Sequence, residues 1–382
     1  MAFSLGGLTQ KISSAFGGDG DGSFLGIDIG TSSVKVVQLR SSHGAAILET
    51  YGEIALGPYA GQPIGKAVKL TPEKTAQALT DLMKEANVTA RAGCMSIPFS
   101  SSLVTILDFP KVDTAALKRM VPIEARKYIP VPVSEVNLDW FVIPQDDSQQ
   151  SALDGVQGAP VKPKGQEVLL VAIHKDAVNA FQTIASTAGV TMEFYEIEIF
   201  GAVRSALSHG IAPILLVDIG ASTTKMYIVE RGIVRLTHLI SNGGQQMTET
   251  LGRSLGWEFE KAERVKRERG LEDSSAYSTD ENDRIKTALL STLSRLFSEI
   301  NRVLLSYGQR YNKNVSHVVL TGGGASLPGL SAHAKSSLSA DVAIADPFSR
   351  TEAPAFLGDV LREIGPGFTV SVGLVLRKLK RT

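Results

Sequence analysis

The sequence predicts an α/β protein whose two halves are related by duplication and face one ligand. Three observations carry this. Asp28-Ile29-Gly30-Thr31-Ser32-Ser33-Val34-Lys35 recurs as Asp218-Ile219-Gly220-Ala221-Ser222-Thr223-Thr224-Lys225. Each copy follows an apolar run, residues 24–27 and 214–217, and leads into another, 34–39 and 226–229. Both read as strand, tight turn, strand. The third observation is Val318-Val319-Leu320-Thr321-Gly322-Gly323-Gly324-Ala325, an apolar strand passing through a triple-glycine turn toward a helix. Glycine lets each turn approach a ligand closely, and the small hydroxyl residues after Gly30 and Gly220 supply N–H and O–H donors. Asp28 and Asp218, at strand ends, can hold a hydrated metal ion near phosphate. Successive glycines at 322–324 let the backbone lie against a nucleotide. No Gly-x4-Gly-Lys-Ser/Thr loop is present, so that route to phosphate is not used.

The remaining elements follow in order. Residues 1–23 read as a leader, with Phe3, Leu5, Leu8, Ile12 and Phe16 at loosely helical spacing before a glycine-rich linker. A frayed terminus or an interfacial amphipathic helix fits them. Thr71-Pro72-Glu73 opens a helix, Thr as N-cap and Pro at the first helical position, with Ala76, Leu79, Met83 and Ala86 on its apolar face. Strands are expected at 92–97 and 102–109, and a helix over 113–129 that Pro122 should kink or restart. Residues 135–142 alternate as a strand, 145–166 form a polar loop, 167–173 a strand, and 176–188 a helix stopped by Gly189. A connecting helix is expected over 195–209, and the second hairpin with a tight Arg231-Gly232 turn over 214–239. Helices at 244–255 and 258–269 precede a polar loop, 271–283. Leu289, Leu293, Leu296, Ile300, Val303, Leu304 and Tyr307 then mark a long amphipathic helix. A helix, a short strand at 342–344 and a closing helix at 369–379 follow, with Arg377, Lys378, Lys380 and Arg381 suited to a helix C-terminus.

Composition narrows the function. The chain has 382 residues, room for two large cores. Its 39 basic and 39 acidic residues balance, which argues against broad nucleic-acid binding. Cys94 is alone and fits a reducing compartment as a small buried hydrophobe. The six His are scattered and suggest no transition-metal site. No secretory signal and no apolar run of bilayer length are read, so a cytosolic protein is expected.

Three motifs stay open on residue chemistry alone. Gly243 and Gly244 stand at a helix start, which offers N–H groups to phosphate or is a plain helix entry. Glu263 and Lys266 lie on a helix where Glu260–Arg264 and Glu263–Arg267 are ordinary pairs on a solvated face. Glu198 serves as a base or water-positioner, or is an exposed charge on an amphipathic helix; Glu196 lies beside it.

In order, the two hairpins and the triple-glycine turn resemble the phosphate-1, phosphate-2 and adenosine loops of the actin-like ATPase superfamily, over about residues 24–378. Between the hairpins, Ser96-Ile97-Pro98-Phe99, Glu124-Ala125-Arg126-Lys127-Tyr128-Ile129-Pro130 and Pro132-x-x-Glu135-Val136-x-Leu138-Asp139-Trp140 resemble the PilM family of type IV pilus assembly, in the FtsA-like branch. Val372-Gly373-Leu374-Val375-Leu376-Arg377 resembles that family's last helix. Pro122 and a long 145–166 loop depart from the pattern and bear on the surface of the inserted subdomain.

The resemblance implies an actin-like fold of two duplicated ribonuclease-H-like halves with an FtsA-like inserted subdomain. Expected boundaries are a leader to 23, a first half from 24–90, an inserted partner-binding subdomain over 91–190 and a connecting helix over 191–212. The second half spans 213–365 with a helical subdomain over 245–310, and 366–382 return to the first half. The resemblance also implies ATP and Mg²⁺. Gly30, Thr31, Ser32, Ser33, Lys35, Gly220, Ala221, Ser222, Thr223 and Thr224 would hold phosphate; Gly243, Gly244, Gly322, Gly323, Gly324 and Ala325 would meet the nucleotide. Glu263 and Lys266 would flank ribose and adenine, Asp28 and Asp218 would hold the metal through water, and Glu198 would orient the attacking water. The implied role is an adaptor with weak hydrolysis at most, held beneath the inner membrane by the N-terminal cytoplasmic tail of a PilN-like protein. Other pilus motor components and self-association are further implied partners. A short extended peptide would add to strand 102–109, with Val121, Ala125 and Ile129 lining one wall or filling the subdomain's own core. Alternatives are an FtsA-like division scaffold and a sugar or small-molecule kinase, for which Asp108 and Asp139 lack a convincing motif.

Overall fold

The computed structural model describes residues 22–144, 165–208 and 210–379. Nearly all of the expected leader, most of the 145–166 loop, and Lys380 and Arg381 lie outside the described residues. The chain divides into two compact units, a smaller one over 99–179 and a larger one from the flanking segments.

The larger unit opens with an antiparallel meander of β1 (Ser23–Ile29), β2 (Ser33–Ser42) and β3 (Ala45–Ala55). Thr71 then caps α1 (Pro72–Glu85) by accepting from the Lys74 N–H. That places an oxygen on one of the donors a helix start leaves open. Next, β4 (Ala92–Ile97) pairs in parallel with β1. This strand, expected within the insertion, therefore belongs to the first-half sheet.

The smaller unit contains β5 (Ser102–Phe109), α2 (Thr114–Ala125), β6 (Val136–Val142) and β7 (Gln166–His174), before α3 (Lys175–Thr187). Its antiparallel sheet runs β5-β7-β6, so β5 is an edge strand. Leu117, Val121, Ala125 and Ile129 recur every fourth residue and are buried against Leu107, Val168 and Leu170. The peptide-wall role expected for Val121, Ala125 and Ile129 does not hold: they fill this unit's own core. Pro122 does not break α2 either. Its neighbours Val121 and Ala125 anchor the turn, and the helix ends at Ala125 rather than at Ile129.

In the larger unit, β8 (Thr191–Ile197) completes the first sheet beside β4 and leads into α4 (Glu198–Ala206). The connecting helix expected from Tyr195 thus begins three residues later, because Tyr195, Glu196 and Ile197 are strand residues buried in the sheet. The second half repeats the plan with β9 (Ile214–Ile219), β10 (Thr224–Glu230) and β11 (Ile233–Ile240). Arg231 and Gly232 both take positive φ in the turn, which suits a tight hairpin. Helices α5 (Gly244–Leu255), α6 (Phe259–Arg269) and α7 (Thr279–Tyr311) follow. A capping box of Ser278 and Glu281 starts α7 inside the stretch expected to be loop. Then come β12 (His317–Thr321), α8 (Leu330–Ser337), β13 (Asp341–Ile344), α9 (Gly358–Ile364) and α10 (Thr369–Leu379).

The sheets run β3-β2-β1-β4-β8 and β11-β10-β9-β12-β13. In each, three antiparallel strands are followed by two parallel ones, so the duplication read in the hairpins extends through both sheets. The second core packs Leu215, Val217, Val318 and Leu320 under the Leu289, Leu293, Leu296 and Ile300 stripe of α7. Helix α10 seals the first sheet through Val372, Val375 and Leu376 against Val37 and Leu39. Backbones touch there: a Cβ on Gly26 would lie 2.1 Å from the Ser371 oxygen, and one on Gly373 1.9 Å from that of Gly201. Buried Glu196 locks the seam, accepting from Arg204 at 2.8 and 2.9 Å and from Arg377 at 2.6 Å. Among the described residues, no helix is long and apolar enough to cross a membrane.

Candidate functional site

The two hairpin turns close alike. Gly30 donates its N–H to the Ser33 carbonyl at 2.9 Å, and Gly220 to that of Thr223 at 3.0 Å. Register places Lys35 opposite Asp28 and Lys225 opposite Asp218. The turns meet through the Thr31 and Ser222 hydroxyls, 3.1 Å apart. One hydroxyl from each half thus meets at this point.

Behind the turns lies a charged cluster. Ser96 donates to Asp28 at 2.7 Å. Desolvation lifts the Asp28 carboxyl above its usual range, against the pull of Ser96, Lys35 and Lys225. Lys35 turns to Ser33 at 2.8 Å and to Glu53 at 3.0 Å. Lys225 bridges Glu198 at 2.6 Å and Asp218 at 3.3 Å. Desolvation opposes the Lys225 charge, yet Asp218 and Glu198 outweigh it and hold the ammonium well above its ordinary range. Desolvation also lifts the Glu198 carboxyl; Lys225 counters, while Asp218 and Asp28 add to the rise. Glu198 opens α4 and is buried, so the exposed-charge alternative fails.

The glycine turn stands beside this cluster. Gly322 has φ +80°, and a Cβ on it would lie 2.3 Å from Asp218 Oδ1. One on Gly324 would lie 2.3 Å from Ile219 Cγ2, whereas one on Gly323 would meet nothing within 4 Å. Ala325 packs its methyl into the second core, leaving only its backbone for a ligand.

At the start of α5, the Gly244 and Gln245 N–H groups donate to the Gly220 and Ala221 carbonyls, both at 2.9 Å. A Cβ on Gly243 would lie 2.5 Å from the Gly220 oxygen. These glycines therefore clamp the helix to the second hairpin, and two helix-start donors are already engaged. Thr224 likewise donates its hydroxyl to Asn242 at 2.7 Å. Glu263 and Lys266 form a buried network rather than a solvated face. Lys266 donates to Glu263 at 2.6 Å, to Thr248 at 2.9 Å and to the Gly244 carbonyl at 3.1 Å. Thr248 also donates to Glu263, and Arg267 donates to it at 2.6 Å. Desolvation works to raise the Glu263 carboxyl, but Lys266, Thr248 and Arg267 together hold it below the usual range. A first-half segment reaches this network: Gly65 backs onto Glu263, Lys66 pairs with Glu249 at 3.0 Å, and the Ala67 N–H donates to Gln245 at 2.8 Å.

Ser96 and Lys225, named above only within the family motif and the repeat, and Glu53 join the cluster without a site role expected from sequence. The repeat itself carried the signal for Lys225, which follows Asp218 as Lys35 follows Asp28. Among the described residues, no group of three or more His, Cys, Asp or Glu side chains could hold a metal. Two strand-end carboxylates alone would need waters and phosphate oxygens to complete the shell of a divalent cation.

Comparison with known proteins follows the same lines. Residues 26–379 match the family described as Type IV pilus assembly protein PilM. The chain is similar to the cell division protein FtsA of Enterococcus faecalis, 22% identical over 81% of this chain and 75% of that protein. FtsA of Bacillus subtilis is 22% identical over 85% and 78%. The solved PilM-PilN type IV pilus biogenesis complex aligns with TM-score 0.74 and 24% identity over 94% of this chain and 99% of that one. MreB5 of Spiroplasma citri bound to ADP aligns with TM-score 0.51 and 14% identity over 94% and 97%. The fold is that of the actin-like ATPases. Two matched hairpins, a glycine turn and a family match across nearly the whole chain lead to one assignment: this protein belongs to the type IV pilus assembly protein PilM family.

Proposed function

We propose that the chain is a nucleotide-dependent adaptor of type IV pilus assembly. It binds ATP with Mg²⁺ between the hairpins and captures the N-terminal cytoplasmic tail of a PilN-like membrane protein. The observation that carries the nucleotide reading is the pair of register-matched hairpins whose turns meet at Thr31 and Ser222. Gly30, Thr31, Ser32 and Ser33 from one turn, and Gly220, Ala221, Ser222 and Thr223 from the other, offer phosphate their amides and hydroxyls. Lys35 supplies positive charge. Asp28 and Asp218 hold the hydrated cation, which when bound neutralises phosphate charge. Gly323 gives adenosine an open backbone, and Glu263 with Lys266 stands ready for ribose and adenine. Glu198 positions water, and its pairing with Lys225 fits slow turnover.

The partner reading rests on the family and on β5, an edge strand whose outer main chain can accept a peptide in extended form. The PilN tail would thereby keep the protein peripheral to the inner membrane, on its cytoplasmic side. Other motor components and self-association belong to the same proposal.

Two titrations test it. ATP-Mg²⁺ at about a hundred times its Kd should stabilise the protein by about 2.7 kcal/mol, read as a thermal shift. A PilN-like N-terminal peptide should bind in the micromolar range, about 8 kcal/mol, by calorimetry. No shift rejects the nucleotide reading; no peptide binding by folded protein, with or without ATP, rejects the adaptor reading. The FtsA relatives favour a second reading, a division scaffold. Co-purification with septal rather than pilus membrane proteins would support it.

A further inference from the structure

We propose that the Lys225 ammonium is a built-in competitor of the divalent cation at Asp218. This rests on the reading that such a cation sits by the hairpin aspartates. Lys225 lies on β10 directly opposite Asp218 and bridges it to Glu198, at 3.3 and 2.6 Å. All three side chains are almost wholly buried, at 15% exposure for the lysine and 10% for each acid. Water therefore screens this triad weakly, and its charges act on one another at close range.

The first hairpin provides the contrast. Lys35 holds the equivalent position opposite Asp28, but its ammonium turns to Ser33 and pairs with half-exposed Glu53 at 3.0 Å. The duplication has kept the lysine in both hairpins and put it to different uses. At Asp28 the hydroxyl of Ser96 is the hydrogen-bonding neighbour at 2.7 Å. At Asp218 the neighbour is a full positive charge. A divalent ion approaching Asp218 would meet that charge where it needs a ligand, and the two cations repel. The short Glu198 contact gives Lys225 somewhere to stay when it yields Asp218. Loading of the cation is then an exchange: Lys225 withdraws from Asp218, keeps Glu198, and Asp218 turns to the hydrated ion. Gly322 leaves the room for that turn, since a Cβ there would press on Asp218 Oδ1 at 2.3 Å.

The test uses Mn²⁺ as a probe on the nucleotide-free protein, titrated by the paramagnetic signal of the free ion. Lys225→Met should bind Mn²⁺ at least tenfold more tightly than the wild type. Lys225→Arg, which keeps the charge, should stay within about twofold of the wild type. Removing Lys225 alone leaves two buried carboxylates without their cation, a change that can unfold a protein. The double variant Lys225→Met/Glu198→Gln keeps Asp218 and lowers that burden, so it decides the matter should the single variant not fold. Its Mn²⁺ affinity should also rise at least tenfold. Equal or weaker Mn²⁺ binding by the folded variant overturns the proposal, as does a gain in Lys225→Arg matching that in Lys225→Met. Failure of ATP to shift the wild-type melt would reject the nucleotide reading and leave this titration standing.

Discussion

Alanine substitution through the triple-glycine turn should separate two reasons for glycine. At Gly322 the backbone has φ +80°, and a Cβ would lie 2.3 Å from Asp218 Oδ1 and 2.6 Å from the Ile219 carbonyl. With ψ 167° this backbone lies in a region essentially reserved for glycine, which costs an L-residue about 1–3 kcal/mol. Forcing a methyl into packed surroundings adds about 1–3 kcal/mol. Gly322→Ala should therefore lose about 2–6 kcal/mol of stability. Gly324→Ala lacks that backbone penalty but meets Ile219 Cγ2 at 2.3 Å, so about 1–3 kcal/mol is expected. At Gly323 a Cβ meets nothing within 4 Å, and alanine should change stability by no more than about 0.5 kcal/mol. Urea titration, with Trp257 packed against the second core as reporter, measures all three. A Trp140→Phe background removes the other tryptophan. The same Gly323→Ala protein should bind ATP at least tenfold more weakly, because the methyl would stand where the adenosine backbone contact is expected. A stability loss at Gly323 as large as that at Gly322 would refute the clash argument, and unchanged ATP affinity would refute the ligand argument.

Three further outcomes are expected. Glu198→Gln should lower any ATP turnover while leaving affinity for ATP without divalent cation nearly intact, as for a group that acts in the transition state; single-turnover kinetics with equilibrium titration of cation-free ATP will separate the two. Burial raises the Asp28 carboxyl, so between the unfolded value, about pH 4, and the raised folded value the native protein holds a proton the unfolded chain has released. That contribution to stability is complete below this window and is lost as pH rises through the folded value. Wild type should thus lose stability relative to Asp28→Asn across that rise, and parallel pH–stability curves would contradict it. Glu196→Gln should cost about 3–5 kcal/mol by leaving the Arg204 and Arg377 charges unbalanced at a buried seam, with the loss read from chemical denaturation.

Local chemistry made much of the fold legible. The hairpins follow from small residues between apolar runs, and the Thr71 cap with Pro72 places α1. The Ser278 and Glu281 capping box is equally local, and it starts α7 inside the stretch expected to be loop. Burial was harder to read. Glu263 and Lys266 have the spacing of a surface pair, and only the distant Gly65 segment and Thr248 turn them into an enclosed network. Glu198, at the start of α4, meets Lys225 of β10, so no periodicity within either segment announces the pair. The apolar face of α2 carried a fourfold spacing that marks a core, and it filled one.

The seam at Gly26 and Gly373 bears on how this protein is made. Gly26 leaves the ribosome more than three hundred residues before Ser371 and Gly373, whose backbones close over Gly26 and Gly201. Until then Val37 and Leu39 have no cover from Val372 and Val375. The first sheet must wait, partly open, while the second half is translated. Contacts between such distant residues slow folding and lengthen exposure of apolar surface. A chain cut short before α10 would keep both hairpins and still lack the lid of its first core. Premature termination should therefore yield a chaperone client and a protease substrate in place of a partly working pilus component.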